Sequence, residues 1–252
     1  MTGRLTPIIQ RFGLLGLAGL LFLQSCATTT SKLTPVTETM PWRVPPLGYY
    51  IEHLPEPPRK GSFRDRVDLQ DAIAQQSAMT RDTLAHAQVT YTLSVFSFSE
   101  VLGPEFNAKN YPRTAAFFQK VSTETGAIVS GLKNHYKRVR PFAAHPDKVS
   151  LYVRNEPGYS YPSGHTTRSR LYAFLLGELD PAKRSEFNRC AEQIAFDRII
   201  AGEHYQTDLE AGRKLGKMLY ESFHKDPDFR RDFAALRQAE WAHPTAGAKP
   251  RL

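Results

Sequence analysis

From Ser62 onward the apolar residues of this 252-residue chain recur three and four apart, the spacing that stacks them on one side of an α-helix. Phe117, Val121, Thr125, Ile128 and Leu132 form one such stripe, and Phe187, Cys190, Ala191 and Ile194 form another. No convincing alternation of apolar and polar residues marks a strand; only the stretch Tyr91 to Val101 is ambiguous. With 41% hydrophobic and 23% charged residues, and no repeat at a solenoid period, the chain has material for one ordinary core. The expected fold is an all-α, single-domain helical bundle.

The N-terminus departs from this pattern. Arg4 and Arg11 precede the apolar run Gly13 to Leu23, which is too short for a comfortable membrane span, so residues 1–25 read as an export signal. Leu23-Gln24-Ser25-Cys26 resembles a bacterial lipobox, in which Cys26 carries acyl chains that tether the protein to a membrane. Ala27 beside it favours the outer membrane, and the expected location is periplasmic. The alternative is ordinary cleavage after Ala27, with Ser25 and Ala27 as the small pair. With Cys26 acylated or removed, Cys190 has no partner for an intramolecular disulfide, so stability rests on packing. Residues 26–60, rich in Thr and in prolines such as Pro41, Pro45, Pro46, Pro55, Pro57 and Pro58, read as a tether and extended lead-in to a domain at 61–252. Without the two signal arginines, 31 basic residues face 25 acidic ones. They are scattered rather than gathered in runs, which argues against nucleic acid and suits steering of small anions.

Three short segments concentrate chemistry. The Phe117–Leu132 stripe leads into Lys133, and Arg140 lies about two turns further on, before Pro141, which marks the expected helix end. Pro162-Ser163-Gly164-His165-Thr166 reads as a turn feeding a helix through Leu171, Phe174 and Leu175, so its first amides can cradle an anion. Arg198 extends the Phe187–Ile194 stripe and needs a buried anion, whether Glu203, Asp197 or a ligand. Gly202 then permits a break before His204, Thr207 can cap the next helix, and Asp208 falls four residues after His204, where it can hold the imidazole. The inward positions of that helix run Asp208, Ala211, Gly212, Leu215, Leu219, with the small residues allowing close packing.

This set fits phosphoryl transfer, which needs fixed cations, backbone donors, an in-line nucleophile and a proton donor for the leaving oxygen. Lys133, Arg140 and Arg198 are the cations, Ser163 and Gly164 the turn donors, and His165 and His204 remain for the covalent and acid/base steps. The other histidines, His53, His86, His135, His145, His224 and His243, have no assignable partners in sequence. Neither an HExxH helix nor paired cysteines suggest a metal, and no cofactor is called for.

The segments resemble the three-part signature of the type 2 phosphatidic acid phosphatase (PAP2) superfamily, Lys-x6-Arg-Pro, Pro-Ser-Gly-His and Ser-Arg-x5-His-x3-Asp, at ten fixed positions in order. Within it the closer resemblance is to the bacterial class A non-specific acid phosphatases, from Leu54-Pro55-Glu56-Pro57-Pro58 to Asp226-Pro227-Asp228-Phe229. The resemblance implies a helical bundle of the PAP2/haloperoxidase type that hydrolyses small phosphomonoesters without metal at acidic pH, and homo-oligomerisation. It implies that His204 becomes phosphorylated, Asp208 orients it, and His165 serves as acid and then base. Lys133, Arg140, Arg198, Ser163 and Gly164 hold the phosphate. Two positions depart from the pattern: Asp197 stands where the signature has Ser, and Gly158-Tyr159-Ser160-Tyr161 is one residue longer than the usual lead-in. An acid beside an anion pocket repels the ligand unless it is paired or turned away.

Two other readings stay open. Vanadate-dependent haloperoxidases of the same superfamily use an equivalent cage, and a non-catalytic envelope lipoprotein could bind phosphate through it. Integral lipid phosphatases of the superfamily are excluded by the lack of a second long apolar run and a mean hydropathy of −0.42.

Overall fold

The computed structural model describes residues 42–155 and 157–242, and every element among them is helical. The expected export signal, Cys26 and the first part of the expected tether lie outside the described residues. None of the described helices is long and apolar enough to cross a membrane.

The centre of the fold is α7 (Gly164–Leu179), in which 12 of 16 residues are buried. A helix enclosed on nearly all sides has no need of a polar face, which is why its amphipathic pattern was faint in sequence. Around it pack α5 (Pro112–Tyr136), α8 (Arg184–Ile200) and α9 (Gln206–Lys225). The five stripe residues of α5 are all buried, as are Phe187, Cys190, Ala191, Ile194 and Arg198 along α8. Gly212 is what lets α9 close on α7: a Cβ there would stand 2.9 Å from the Ser163 carbonyl oxygen and equally near Thr166.

Outside this group lie α2 (Phe63–Ser77) and α3 (Arg81–Val89), both resting on α8, and α10 (Pro227–Glu240), which folds back on α5 and α9. Asp226 caps α10 by accepting from the Phe229 amide at 2.8 Å, and Pro227 occupies the first turn, where its missing N–H costs nothing. The ambiguous Tyr91 to Val101 stretch forms a 3₁₀ turn at Val95–Phe98 that runs into the short α4 (Ser99–Leu102).

The structure corrects the lead-in reading over its described part. Positions 42–60 belong to the compact unit Thr39–Leu252, and α1 (Leu47–His53) is helical. Trp42 and Tyr50 are fully buried, with the Trp42 ring 5.0 Å from Phe229 and 5.3 Å from Phe117 between centroids. The prolines flank α1 rather than interrupt it; Pro46 sits at its N-cap with φ −65°. A proline-rich composition therefore hid an anchor of the aromatic core.

A second correction concerns α5. It stops at Tyr136, where Lys137 adopts a left-handed conformation (φ 51°), one turn before Pro141. Lys133 and Arg140 consequently do not share a helix face. Arg140 arrives on an extended segment and caps α6 (Pro141–Ala144).

Candidate active site

The three segments meet at the N-terminal end of α7. Ser163 is the N-cap of that helix, with its hydroxyl accepting from the Thr166 amide and hydroxyl, and Gly164 opens the first turn. The amides of that turn point out of the helix start and, reinforced by the helix dipole, form a positive end. The Ser163 amide donates to the Asp208 carbonyl oxygen at 3.0 Å, which binds this turn to the start of α9.

His204 lies in the turn between α8 and α9 and is buried. Its Nε2 is 3.4 Å from Arg140 Nη1, and its Nδ1 faces Asp208 Oδ2, also at 3.4 Å. Burial, followed by the charges of Arg140, Lys133 and Arg198, holds the imidazole well below its ordinary pKa, so it is neutral near pH 7. This depression has a consequence for stability. An unfolded chain protonates a histidine near pH 6.5, so the stability tied to His204 is complete above about that pH and is lost as pH falls toward the depressed value. Between pH 7 and pH 5 the wild type should lose more stability than His204→Gln, as read by denaturant unfolding at the two pH values.

Arg140 and Arg198 are both buried and share Glu203: Arg140 Nη1 is 3.6 Å from Glu203 Oε1, and Arg198 Nη1 is 3.8 Å from Oε2. Two guanidiniums around one carboxylate, with Lys133 adding its charge to the same region, leave the site net positive. Of the three anions open to Arg198 in sequence, Asp197, Glu203 or a ligand, the structure places Glu203 beside it.

His165, at the second position of α7, is buried, and its Nε2 donates to the Tyr91 carbonyl oxygen at 2.8 Å. That bond selects the tautomer and leaves Nδ1 as the nitrogen able to exchange a proton. Burial, then Arg198 and Arg168, pushes this imidazole too well below its ordinary pKa.

Asp208 is more than an orienter of His204. Its Oδ1 accepts from Arg138 Nη1 at 2.7 Å and its Oδ2 from the Tyr205 amide at 2.9 Å, both shorter than its approach to the imidazole. Arg138 also donates to Asp68 Oδ2 and to Thr207 Oγ1, each at 2.7 Å, and its guanidinium lies 4.1 Å from the centroid of the Tyr205 ring. The helix cap is Tyr205 rather than Thr207, whose hydroxyl instead donates to Asp68. Arg138 and Asp68 had not been singled out in the sequence. The readable signal was the alternation Arg138-Val139-Arg140 before a proline: Val139 is half exposed, while both arginines turn inward on either side of the His204–Asp208 pair.

Asp197 turns away from the anion site. Its Oδ2 accepts from Thr90 Oγ1 at 2.6 Å and meets His86 Nδ1 at 2.8 Å, and its Oδ1 accepts from Gln193. His86 thus has partners invisible in sequence, because its Nε2 also meets Glu100 at 2.8 Å. Burial alone would lower the His86 pKa, but Asp197 and then Glu100 raise it above the ordinary value. Among the described residues no group of three His, Cys, Asp or Glu side chains converges as a metal site.

Among the described residues, all of whose elements are helical, buried arginines and a helix N-terminus thus surround the buried imidazole of His204. Residues 120–228, which contain all ten signature positions, match the sequence model of the PAP2 superfamily. Over 148 residues the chain is 31% identical to a non-specific acid phosphatase of Salmonella typhimurium, covering 56% of this chain and 58% of that protein. It is 26% identical over 208 residues to a non-specific acid phosphatase of Providencia stuartii, covering 73% and 81%. It is 27% identical over 223 residues to an acid phosphatase of Zymomonas mobilis, covering 85% and 82%. The match thus spans less than two thirds of the Salmonella relative's length.

Proposed function

We propose that this chain is a metal-independent phosphatase that hydrolyses phosphate monoesters through a phosphohistidine at His204, with its optimum at acidic pH. The observation that carries the reading is the neutral, buried imidazole of His204 with its Nε2 turned to Arg140 and its Nδ1 to Asp208. A neutral nitrogen keeps its lone pair, and cations beside it attract the ester that it attacks.

In the first step His204 Nε2 attacks phosphorus, the bond to the ester oxygen breaks, and His165 Nδ1–H protonates that oxygen. The proton on His165 depends on the substrate: a bound phosphate brings negative charge between the imidazoles and offsets the guanidiniums that otherwise keep His165 neutral. In the second step His165 takes a proton from water, whose oxygen forms a new bond to phosphorus as the P–N bond breaks. Phosphate leaves, and both histidines return to their starting state. Arg140, Arg198, Lys133 and the Ser163–Gly164 turn stabilise the charge that spreads over the equatorial oxygens in both steps. The acid phosphatase relatives support small phosphomonoesters as substrates. Export, and an acyl anchor at Cys26, belong to the same proposal and rest on residues 1–27.

The test is hydrolysis of a chromogenic aryl phosphate across pH 4 to 8 in excess chelator. Activity should survive the chelator, and Arg198→Ala should lower kcat/KM by roughly 10- to 100-fold, the effect of losing one charge-assisted hydrogen bond. Folded protein with no turnover, or turnover that the chelator removes, would overturn the reading.

A further inference from the structure

The turn that ends α3 supplies three groups to the site. The Ala87 carbonyl oxygen accepts from Arg198 Nη2 at 2.7 Å, Thr90 Oγ1 accepts from the same nitrogen at 3.0 Å, and the neighbouring Tyr91 carbonyl meets His165. Thr90 is central to this arrangement. Its one hydroxyl proton has a backbone acceptor at 3.0 Å in the His86 carbonyl and a carboxylate acceptor at 2.6 Å in Asp197. A short bond to a charged acceptor prevails, so the proton goes to Asp197 and the lone pairs face Arg198. The result is a buried chain that runs from guanidinium through hydroxyl to carboxylate, and all three side chains are shielded from solvent. His86 steadies the far end by meeting Asp197 and Glu100 at once.

We propose that Thr90 and Asp197 are positioning residues for Arg198, holding its guanidinium at the angle from which it binds the phosphate. This rests on the phosphatase reading, in which Arg198 touches phosphate. It also assigns a role to the acid that stands where the signature has Ser: the carboxylate serves the site from behind the arginine. A guanidinium has many rotamers, and one that enters a buried anion site unguided must be ordered each time a ligand binds. Two acceptors on the α3 turn, Ala87 and Thr90, do this in advance, and Asp197 keeps the second one oriented.

The experiment measures kcat, KM and the competitive Ki of inorganic phosphate for wild type, Thr90→Val, Thr90→Ser, Arg198→Ala and Thr90→Val/Arg198→Ala, with melting curves for each. Thr90→Val should raise Ki and KM about tenfold, the scale of a lost hydrogen bond to a charged group. Thr90→Ser, which keeps the hydroxyl, should stay within about twofold of wild type. With Arg198 already removed, Thr90→Val should change Ki by less than about twofold, because its effect passes through that side chain. Full additivity in the double variant, or Thr90→Ser as impaired as Thr90→Val, would overturn the proposal. Should Thr90→Val fail to fold, Asp197→Asn takes its place in the same cycle, with the same non-additivity expected. Arg198→Ala separates the two readings. An unchanged Ki there sinks the phosphate role of Arg198; a raised Ki beside a normal Thr90→Val sinks only the positioning.

Discussion

His204→Ala should lower kcat for an aryl phosphate by at least about 10⁴-fold while changing the affinity for inorganic phosphate far less. The cations, the Ser163 turn and the α7 N-terminus stay in place, so under the proposed mechanism phosphate still binds where the nucleophile is missing. His165 cannot substitute, because its Nε2 is committed to the Tyr91 carbonyl and its position follows α7. A single-turnover reaction quenched in alkali, where phosphohistidine survives, should show label on the wild type and none on the variant. A His204→Ala protein that keeps a tenth of wild-type kcat would end the covalent mechanism.

The second large effect is expected away from the chemistry, at Gly202. Its φ of 82° is a conformation that side-chain-bearing residues rarely adopt, and a Cβ built there would lie 2.1 Å from the Ser150 carbonyl oxygen. That oxygen cannot easily retreat. Gln76 Nε2 donates to it at 2.8 Å and to the Ile200 carbonyl at 3.0 Å, while the Ser150 amide donates back to Gln76 Oε1. Gly202→Ala must therefore break this clasp or move the turn that carries Glu203 and His204. The expected outcome is a loss of about 3 kcal/mol or more in stability, or about 10²-fold in kcat/KM where the fold survives with a displaced His204. Melting and kinetics together check it; a variant that melts and turns over like wild type would show that the turn has slack.

Much of the site was legible because its residues are bound by local spacing. Arg198, His204 and Asp208 span the end of one helix, a turn and the start of the next, so their separations appear directly in the chain. Ser163, Gly164 and His165 were readable as a cap and first turn for the same reason. The α5 stripe and its closing Lys133 followed from the helical period. The reading failed where a helix ended early. Nothing in residues 137–140 announced the left-handed Lys137, and carrying the period onward put Arg140 on the wrong element.

The sequence by itself determined the helical class, the three segments and the residue types that converge, since period and short spacing are properties of the chain before it folds. Only the tertiary structure decided which partner each charged group has. Arg138 joins Asp68 to Asp208 across about 70 positions on either side, and Thr90 meets Asp197 107 positions away. It also decided that Trp42, in a segment composed like a tether, belongs to the aromatic core. The physical reason is common to these cases. A buried charge or ring must find its complement somewhere, but the requirement does not say where. That choice is made when helices distant in sequence pack against one another and exclude water.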